Sequence, residues 1–549
     1  MLATNEQQAF IEELKAGRPC FLSARAGTGK TTTIRLAVEE LISTGFPSQN
    51  IAAVAFNKAN QQDLAKALGA GIQVSTLHSL GFKAVRSFLP GVELASDKLF
   101  ELTRLQGFRG KNSRDQFANT MKLVSAAKSV GLVPKDKRTP LFKTGLKEDT
   151  PESWTSLVDY FELWDADIEK AREILIQSNE QAIKERAIDF DDMVYLPVAL
   201  GLRPYGPDYL IVDEAQDLSP LNLEMLKRTP SKIWYVGDPY QTIYAWRGAS
   251  EEVVEKLGLP VLPLTNCWRC SGAIIKEAKK LVGDIQTSNA YGQEVEEVLE
   301  PVQWADLPPA TILGRRNADL VTMALEFRSQ RIRCCVFGRA FTKVLGSILD
   351  KLKGTTSKQL RESLKGWLAK MSDKYPHQQA ELRDYATCLN AVLSEVSGAR
   401  EAGKVISEMF SDTPQPGEWL LSTVHKAKGK EWPEVWLLDW TPRGVEQPWQ
   451  RKEDRNLRYV AITRAKSFLH KVPERIWNPG SDKIDLEATA KTPGWQLQEP
   501  RVGSRGGQLI NTETGEIGSF WIPQTQDQDL YSKDGELLSS PTREDGLWD

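Results

Sequence analysis

An apolar run, Cys20-Phe21-Leu22-Ser23, gives way to Ala24-Arg25-Ala26-Gly27-Thr28-Gly29-Lys30-Thr31 and then to the helical stretch TTTIRLAVEELIS. A strand that turns through two glycines straight into a helix commits the chain to α/β architecture. The helix must fold back across its strand, and the next strand then runs parallel to the first. Further short runs fit this plan: Ile51–Phe56, Tyr209–Val212, Ile233–Val236, Thr311–Leu313 and Val435–Leu438. Several are nearly all apolar, as expected for strands covered on both faces. The glycine turn itself reads as a P-loop, since it follows a strand and opens a helix. Gly27 and Gly29 let backbone N–H groups turn toward phosphate oxygens at the positive end of a helix. Lys30 is expected to reach the β- and γ-phosphates and the Thr31 hydroxyl to hold Mg²⁺. Ala24 stands where the pattern has glycine; Ala24, Arg25, Ala26, Thr28 and Thr32 complete the expected nucleotide cradle.

A P-loop needs a second, acidic site. Tyr209-Leu210-Ile211-Val212 ends in Asp213-Glu214. At the tip of a parallel strand, Asp213 is placed to bind Mg²⁺ through water, and Glu214 to polarise an attacking water. Together the two sites imply ATP hydrolysis with Mg²⁺.

Composition excludes other classes. Hydrophobic residues at 41% and charged residues at 26% over 549 residues are ordinary for a globular protein and rule out wholesale disorder. The N-terminal MLATNEQQAF has neither a basic nor an apolar signal region, and no run approaches the ~18 apolar residues of a membrane span. The six cysteines are too sparse for a disulfide framework, so a reducing cytoplasmic (or nucleoid-associated) setting is expected. Cys267-Trp268-Arg269-Cys270 has C-x-x-C spacing and invites a metal or redox reading. A zinc site would need two more ligands, and the adjacent Cys334-Cys335 has the wrong geometry to supply them.

Two stretches, about 86–187 and 340–417, carry helical rather than strand periodicity, as in AREILIQSNEQAIKERA and SKQLRESLKGWLAKM. Both read as insertions into a sheet domain. Beyond about residue 500 the chain is rich in Gly, Ser, Thr, Asp and Gln, and a partly disordered tail is expected.

The wording around the carboxylates is more specific. Asp213-Glu214-Ala215-Gln216-Asp217 resembles motif II of the UvrD/Rep-type superfamily 1 DNA helicases, and Val236-Gly237-Asp238-Pro239-Tyr240-Gln241-Thr242-Ile243-Tyr244-Ala245-Trp246-Arg247-Gly248-Ala249 resembles their motif III. Collinear likenesses follow: Thr4–Gln8 to the Q motif, Ala55–Ala59 to motif Ia, Ser75–Ser79 to Ib, Thr265–Arg269 to IV, Ser422–Glu431 to V and Tyr459–Lys466 to VI. FNKA (56–59) and IDFDD (188–192) are closer to the F-box helicase branch, though no F-box is evident. The resemblance covers residues about 4–470, apart from the two helical insertions.

It implies two RecA-like P-loop motor domains with parallel sheets, each carrying a mainly helical insertion. The first would comprise 1–85 and 188–255, interrupted by 86–187. The second would comprise 256–339 and 418–480, interrupted by 340–417, with a C-terminal extension over 481–549. By the same resemblance Gln7 reads the adenine, Gln241 senses the γ-phosphate, Glu431 contacts the ribose, and Arg269 and Arg464 are arginine fingers. Trp268 reads two ways, as an adenine-stacking ring or as a core aromatic. Phe56, Asn57, His78, Tyr244 and Trp246 are the expected DNA contacts, with Arg247, Thr423 and His425 on phosphates; Phe56 also reads as core. The implied activity is ATP-dependent 3′→5′ translocation on single-stranded DNA with duplex unwinding at single/double-strand junctions, in replication, repair or recombination. Two alternatives remain open: a translocase that strips proteins from DNA, and an ATP-dependent DNA-binding regulator with weak motor activity.

The insertion at 340–417 is much shorter than the family's, so the duplex engagement attributed to that subdomain is not implied. No nuclease signature follows motif VI. The net charge of -3 speaks against nucleic acid only as an average. Residues 104–147 hold eleven basic side chains against Asp115 and Asp136, and read equally as a DNA-facing or a solvated surface. The acidic tail from Gln524 reads as a solvated end or as a docking peptide for a replication or repair protein.

Overall fold

The computed structural model describes residues 3–108, 113–143, 145–161, 163, 165–243, 257–288, 294–374, 379–440 and 448–477, and five short strands between 495 and 539. The chain divides into two compact units, one of Met1–Glu296, Trp304–Leu437 and Lys452–His470, the other of Glu297–Gln303, Leu438–Arg451 and Lys471–Asp549.

The strands of the first part are β1 (Phe21–Ala24), β2 (Ile51–Ala55), β3 (Gln73–Thr76), the two-residue β4 (Glu93–Leu94) and β5 (Ala187–Ile188), β6 (Tyr209–Val212), β7 (Lys232–Gly237) and β8 (Val261–Leu264). Six of them form one parallel sheet in the order β3-β2-β6-β7-β1-β8. Side chains alternate between its faces, as a pleated strand requires. Phe21, Leu210, Val212 and Tyr235 enter one apolar cluster with helices Leu77–Phe88 and Asp192–Ala199. Leu22, Ile211, Trp234 and Val236 enter another with α1 (Asn5–Lys15) and α2 (Lys30–Ser43). Each fully buried large side chain contributes roughly 1.5–3 kcal/mol, so neither face could be left uncovered.

The expected boundary after residue 255 falls short of the first sheet's last strand. β8, Val-Leu-Pro-Leu, pairs with β1 at the sheet's edge. An edge position tolerates a proline that a central strand would not.

β9 (Asn266–Cys267) and β10 (Gln286–Thr287) pair in parallel. A second sheet follows from β11 (Val295–Glu297), β12 (Thr311–Gly314), β13 (Cys334–Phe337), β14 (Phe410–Ser411), β15 (Trp419–Thr423), β16 (Trp432–Leu438) and β17 (Ala465–Val472), in the order β11-β17-β16-β12-β15-β13-β14. The pairings of β12 with β15 and β16, and of β13 with β14 and β15, are parallel. Both helical stretches are helical as expected, with helices at Lys98–Leu105, Ser113–Ser129, Pro151–Tyr160 and Ile168–Lys184, and at Ala340–Leu349, Ser357–Lys374, Gln379–Ser394 and Ala399–Met409.

The C-terminal extension departs from the expectation of a tail. It contains an antiparallel sheet in sequential order, β18 (Trp495–Gln498), β19 (Gly506–Asn511), β20 (Ile517–Trp521), β21 (Leu530–Ser532) and β22 (Leu537–Ser539). Apolar and polar residues alternate in WQLQ, a period-two signal that the polar composition around it hides. The tip after Ser539 lies outside the described residues.

The basic run is not a uniform surface. Lys128 is fully buried, and its amine pairs with Asp189 (2.5 Å) and Asp192 (2.7 Å), while Lys98 pairs with Asp192 at 2.8 Å. Arg138 is held by Asp136 and Glu173, and Arg104 by Glu101. Lys122, Lys135, Lys137 and Lys143 remain exposed, whereas Arg109, Lys111 and Arg114 lie outside the described side chains. Lys128→Met is expected to destabilise the fold by about 3–5 kcal/mol, because it strands the buried Asp189 carboxylate and leaves Asp192 to Lys98 alone; urea unfolding measures it. Burial raises the Asp192 pKa but the two lysines overcome it and hold it at about 2. A depressed carboxylate stabilises the fold above its unfolded value of about 4 and loses that contribution as pH falls toward about 2.

Candidate active site

Parallel strands deliver their carboxyl ends to one edge, where β1, β6 and β7 finish side by side. β1 runs into the P-loop, whose Gly27 and Gly29 adopt φ of 68° and 86°, left-handed conformations open to glycine. Gly27 is also required by close approach, since a Cβ there would sit 2.6 Å from Arg269 Cβ and 2.8 Å from Cys267 Sγ. A cleft of about 500 Å³ opens here, lined by Gly27–Thr32, Phe56, Asn57, Asp213, Glu214, Gln241, Trp268, Arg269, Lys428 and Arg464 among others. It thus brings together the P-loop, both acidic residues, Gln241 and both arginines.

At its centre Lys30 Nζ donates to Glu214 Oε2 at 2.7 Å. Burial works against the lysine's charge, but Glu214 and Asp213 outweigh it and raise the pKa. Glu214 has φ of 54° and accepts from Gln216 Nε2 at 2.6 Å. Against the cost of burial, Lys30 and Lys428 hold it at about 2, ionised at neutral pH. Burial and the Glu214 charge push the neighbouring Asp213 up to about 7. The Thr31 hydroxyl and the Asp213 carboxylate are hard oxygen donors on one cleft, so the residues fit a Mg²⁺ ion.

Other expected nucleotide residues have partners of their own. Gln7 completes a capping box with Thr4 and donates to Thr33 Oγ1 at 3.1 Å, behind the P-loop. Ala24 ends β1, fully buried. Ala26 N–H donates to the Tyr459 hydroxyl at 2.8 Å, and Thr28 Oγ1 to the Arg25 carbonyl at 2.7 Å. Trp268 is 48% exposed on the cleft, which removes its reading as a core aromatic. Glu431 ion-pairs Arg269 Nε and Lys466 Nζ. Arg464 is buried, donating to the carbonyls of Val460 and Lys430, both at 3.0 Å. Burial, reinforced by Arg269, lowers its pKa to about 10.

Sequence reasoning named Arg25 for the nucleotide cradle and quoted Lys428 and Tyr459 within motifs V and VI, but gave none of them a part in joining the two sides. Arg25 donates through Nε and Nη2 to both oxygens of Asp284 (2.8 and 2.6 Å), and its guanidinium lies 4.6 Å from the Tyr240 ring centre. Lys428 Nζ donates to Asp217 (2.8 Å) and to the Gln241 carbonyl (2.7 Å). Asn456 Nδ2 donates to the Thr242 carbonyl, and the Tyr459 hydroxyl to Asp238 at 3.2 Å. Position 25 offered a signal, an arginine inside a glycine turn; for the others the partners are too distant in sequence.

Of the expected DNA contacts, Phe56 lines the cleft half-buried, and Asn57 Oδ1 caps helix Lys58–Leu68. His78 stacks on Phe190 (centroids 4.1 Å apart, 21°), and Phe190 is 56% exposed, an aromatic platform the IDFDD wording contained. Thr423 is buried at the end of β15. Burial, Arg315 and Lys428 lower the His425 pKa to about 4, which leaves the imidazole neutral at neutral pH. Tyr244, Trp246 and Arg247 lie outside the described residues.

The UvrD/REP helicase N-terminal domain matches residues 3–258 and the UvrD-like helicase C-terminal domain residues 367–470. ATP-dependent DNA helicase Rep of Escherichia coli (strain K12) is 28% identical over 52% of this chain and 43% of its own length. F-box DNA helicase protein 1 of Schizosaccharomyces pombe is 25% identical over 85% of this chain and 57% of its own, and F-box DNA helicase 1 of Gallus gallus 25% over 85% and 48%. The chain spans about half the length of the curated relatives it matches. Among the described residues no helix is long and apolar enough to cross a membrane.

Proposed function

The chain belongs to the UvrD/Rep-type helicase family, and from that premise we propose that it hydrolyses ATP to move along single-stranded DNA, 3′→5′, and to open duplex DNA. The observation that carries this reading is the convergence of Lys30, Asp213, Glu214, Gln241, Arg269 and Arg464 on one cleft. The P-loop N–H groups would take the phosphates, with the Lys30 amine on the β- and γ-oxygens. Lys30 now sits on Glu214, so phosphate binding would draw the amine away and free the carboxylate to orient water. Thr31 and Asp213 would hold Mg²⁺, which neutralises phosphate charge when bound. Arg269 and Arg464 would stabilise the γ-phosphate in the transition state. We read the sheet of β1–β8 as one motor half and that of β11–β17 as the other.

Lys428 offers a route from chemistry to track. It bridges Asp217, four residues past Asp213, to the backbone of Gln241, inside the motif whose end supplies expected DNA contacts. His78 stacked on Phe190 suits a sequence-indifferent base platform, where each stacked base is worth ~1–3 kcal/mol. Strand displacement on 3′-tailed, 5′-tailed and blunt duplexes, beside an ATPase assay, tests the proposal. Unwinding of the 3′-tailed substrate alone, with ATPase activity raised by single strands, is expected. ATPase activity with no displacement would favour a protein-stripping translocase, and absence of both would reject the motor.

A further inference from the structure

Beside this cleft lies a pair of cysteines that the proposed hydrolysis does not use. Cys267 ends β9, and Cys270 precedes Ser271, which begins helix Gly272–Ala278. Both are fully buried, and each thiol is within electrostatic reach of the other. The Cys270 thiol also faces the Thr463 carbonyl at 3.8 Å, the carbonyl that Arg269 Nη1 reaches at 3.4 Å. The intervening residues, Trp268 and Arg269, both line the cleft. On its other side Cys267 abuts the P-loop at Gly27. A metal reading lacks ligands: among the described residues no group of three or more His, Cys, Asp or Glu side chains could hold an ion.

We propose that Cys267 and Cys270 form a reversible dithiol–disulfide switch that disarms the ATP cleft, oxidised by exchange with a small-molecule disulfide. The proposal rests on the cleft being the hydrolytic site described above. The Cys267 thiolate attacks one sulfur of R–S–S–R, forming Cys267–S–S–R and expelling R–S⁻, which takes up a proton. Cys270 gives up its proton, attacks the Cys267 sulfur and expels the second R–S⁻, protonated in turn. The pair loses two electrons and two protons, and R–S–S–R becomes two R–SH. The roles are unequal in the right sense. The neighbouring Cys270 side chain draws the Cys267 thiol down to about 7 against its burial, helped by Arg269. The Cys267 side chain and burial push the Cys270 thiol up, as suits the resolving partner.

A disulfide pulls the sulfurs to about 2.05 Å and removes the Cys270 S–H from the Thr463 carbonyl. The loop carrying Trp268 and Arg269 is then pinned at both ends in a different shape. Because both sulfurs are enclosed, exchange requires the P-loop and the Cys267 loop to part, and a bound ATP analogue should slow it.

The test incubates the full chain with oxidised and reduced glutathione at defined ratios, quenches with acid, alkylates and maps the cysteines by mass spectrometry, with ATPase rates measured in parallel. A Cys267–Cys270 disulfide reversed by dithiothreitol is expected, with the rate lowered about tenfold or more through displacement of Arg269 and restored on reduction. Cys270→Ser should stop at the mixed disulfide on Cys267, and the rate of Cys267→Ser should not respond to oxidant. The proposal is overturned if both thiols stay alkylatable at the most oxidising ratio, or if the disulfide forms and the rate does not fall. The disulfide map needs no turnover, so a reduced protein without ATPase activity sinks the hydrolytic reading alone.

Discussion

Glu214→Gln is expected to cut DNA-stimulated ATP hydrolysis by about 10²–10⁴-fold, the usual worth of a positioned general base, with ATP still bound. The glutamine keeps size and hydrogen bonding but loses the charge proposed to orient water. Lys30→Ala should abolish turnover by a different route. It takes the fixed positive charge out of the proposed phosphate cradle and leaves the half-buried Glu214 without its 2.7 Å partner. Nucleotide binding separates the two. A fluorescent ATP analogue should bind Glu214→Gln about as well as the unchanged protein, and Lys30→Ala far more weakly. Full turnover in either variant would show that the hydrolytic residues are misassigned.

These residues were legible in sequence because the chemistry constrains them locally. A strand, two glycines, a lysine and a helix are contiguous, and the acidic pair sits directly on an apolar run. Doubly covered strands were legible for a related reason. Tyr209–Val212 matches its expected span, and Ile51–Phe56 and Ile233–Val236 differ from theirs by a residue or two at the ends. What composition and pattern obscured were relations across long separations. Lys128 read as one more surface charge because Asp189 and Asp192, which bury it, lie some sixty residues on. Asp284 carried no motif, yet it clasps the P-loop arginine. β8 was masked by its proline, and the C-terminal strands by the polar loops around them.

The same distinction separates roles from placement for the arginines. Motif VI named Arg464, but only the folded chain brings it to the P-loop across more than four hundred residues.

Arg464→Ala is expected to lower the ATPase rate constant by about 10³–10⁵-fold, the range for removing an arginine finger, with little change in KM for ATP. The guanidinium is buried among the Val460 and Lys430 carbonyls and the Thr463 hydroxyl, and Arg269 adds to the burial that lowers its pKa to about 10. It therefore stays charged at neutral pH beside a second cation, an arrangement stabilised most by an anion entering the cleft. Arg269 already has Glu431 as a counter-charge, so Arg269→Ala should cost less than Arg464→Ala. Arg464→Lys should not restore the rate, because an ammonium cannot reproduce the planar fork that spans two carbonyls and would at the same time meet the proposed phosphate. Steady-state kinetics with saturating single-stranded DNA measures all three. A fall of less than about tenfold in Arg464→Ala would mean that the γ-phosphate is stabilised by other groups, and Arg464 would then be a structural strut between helix Pro448–Ile462 and β17.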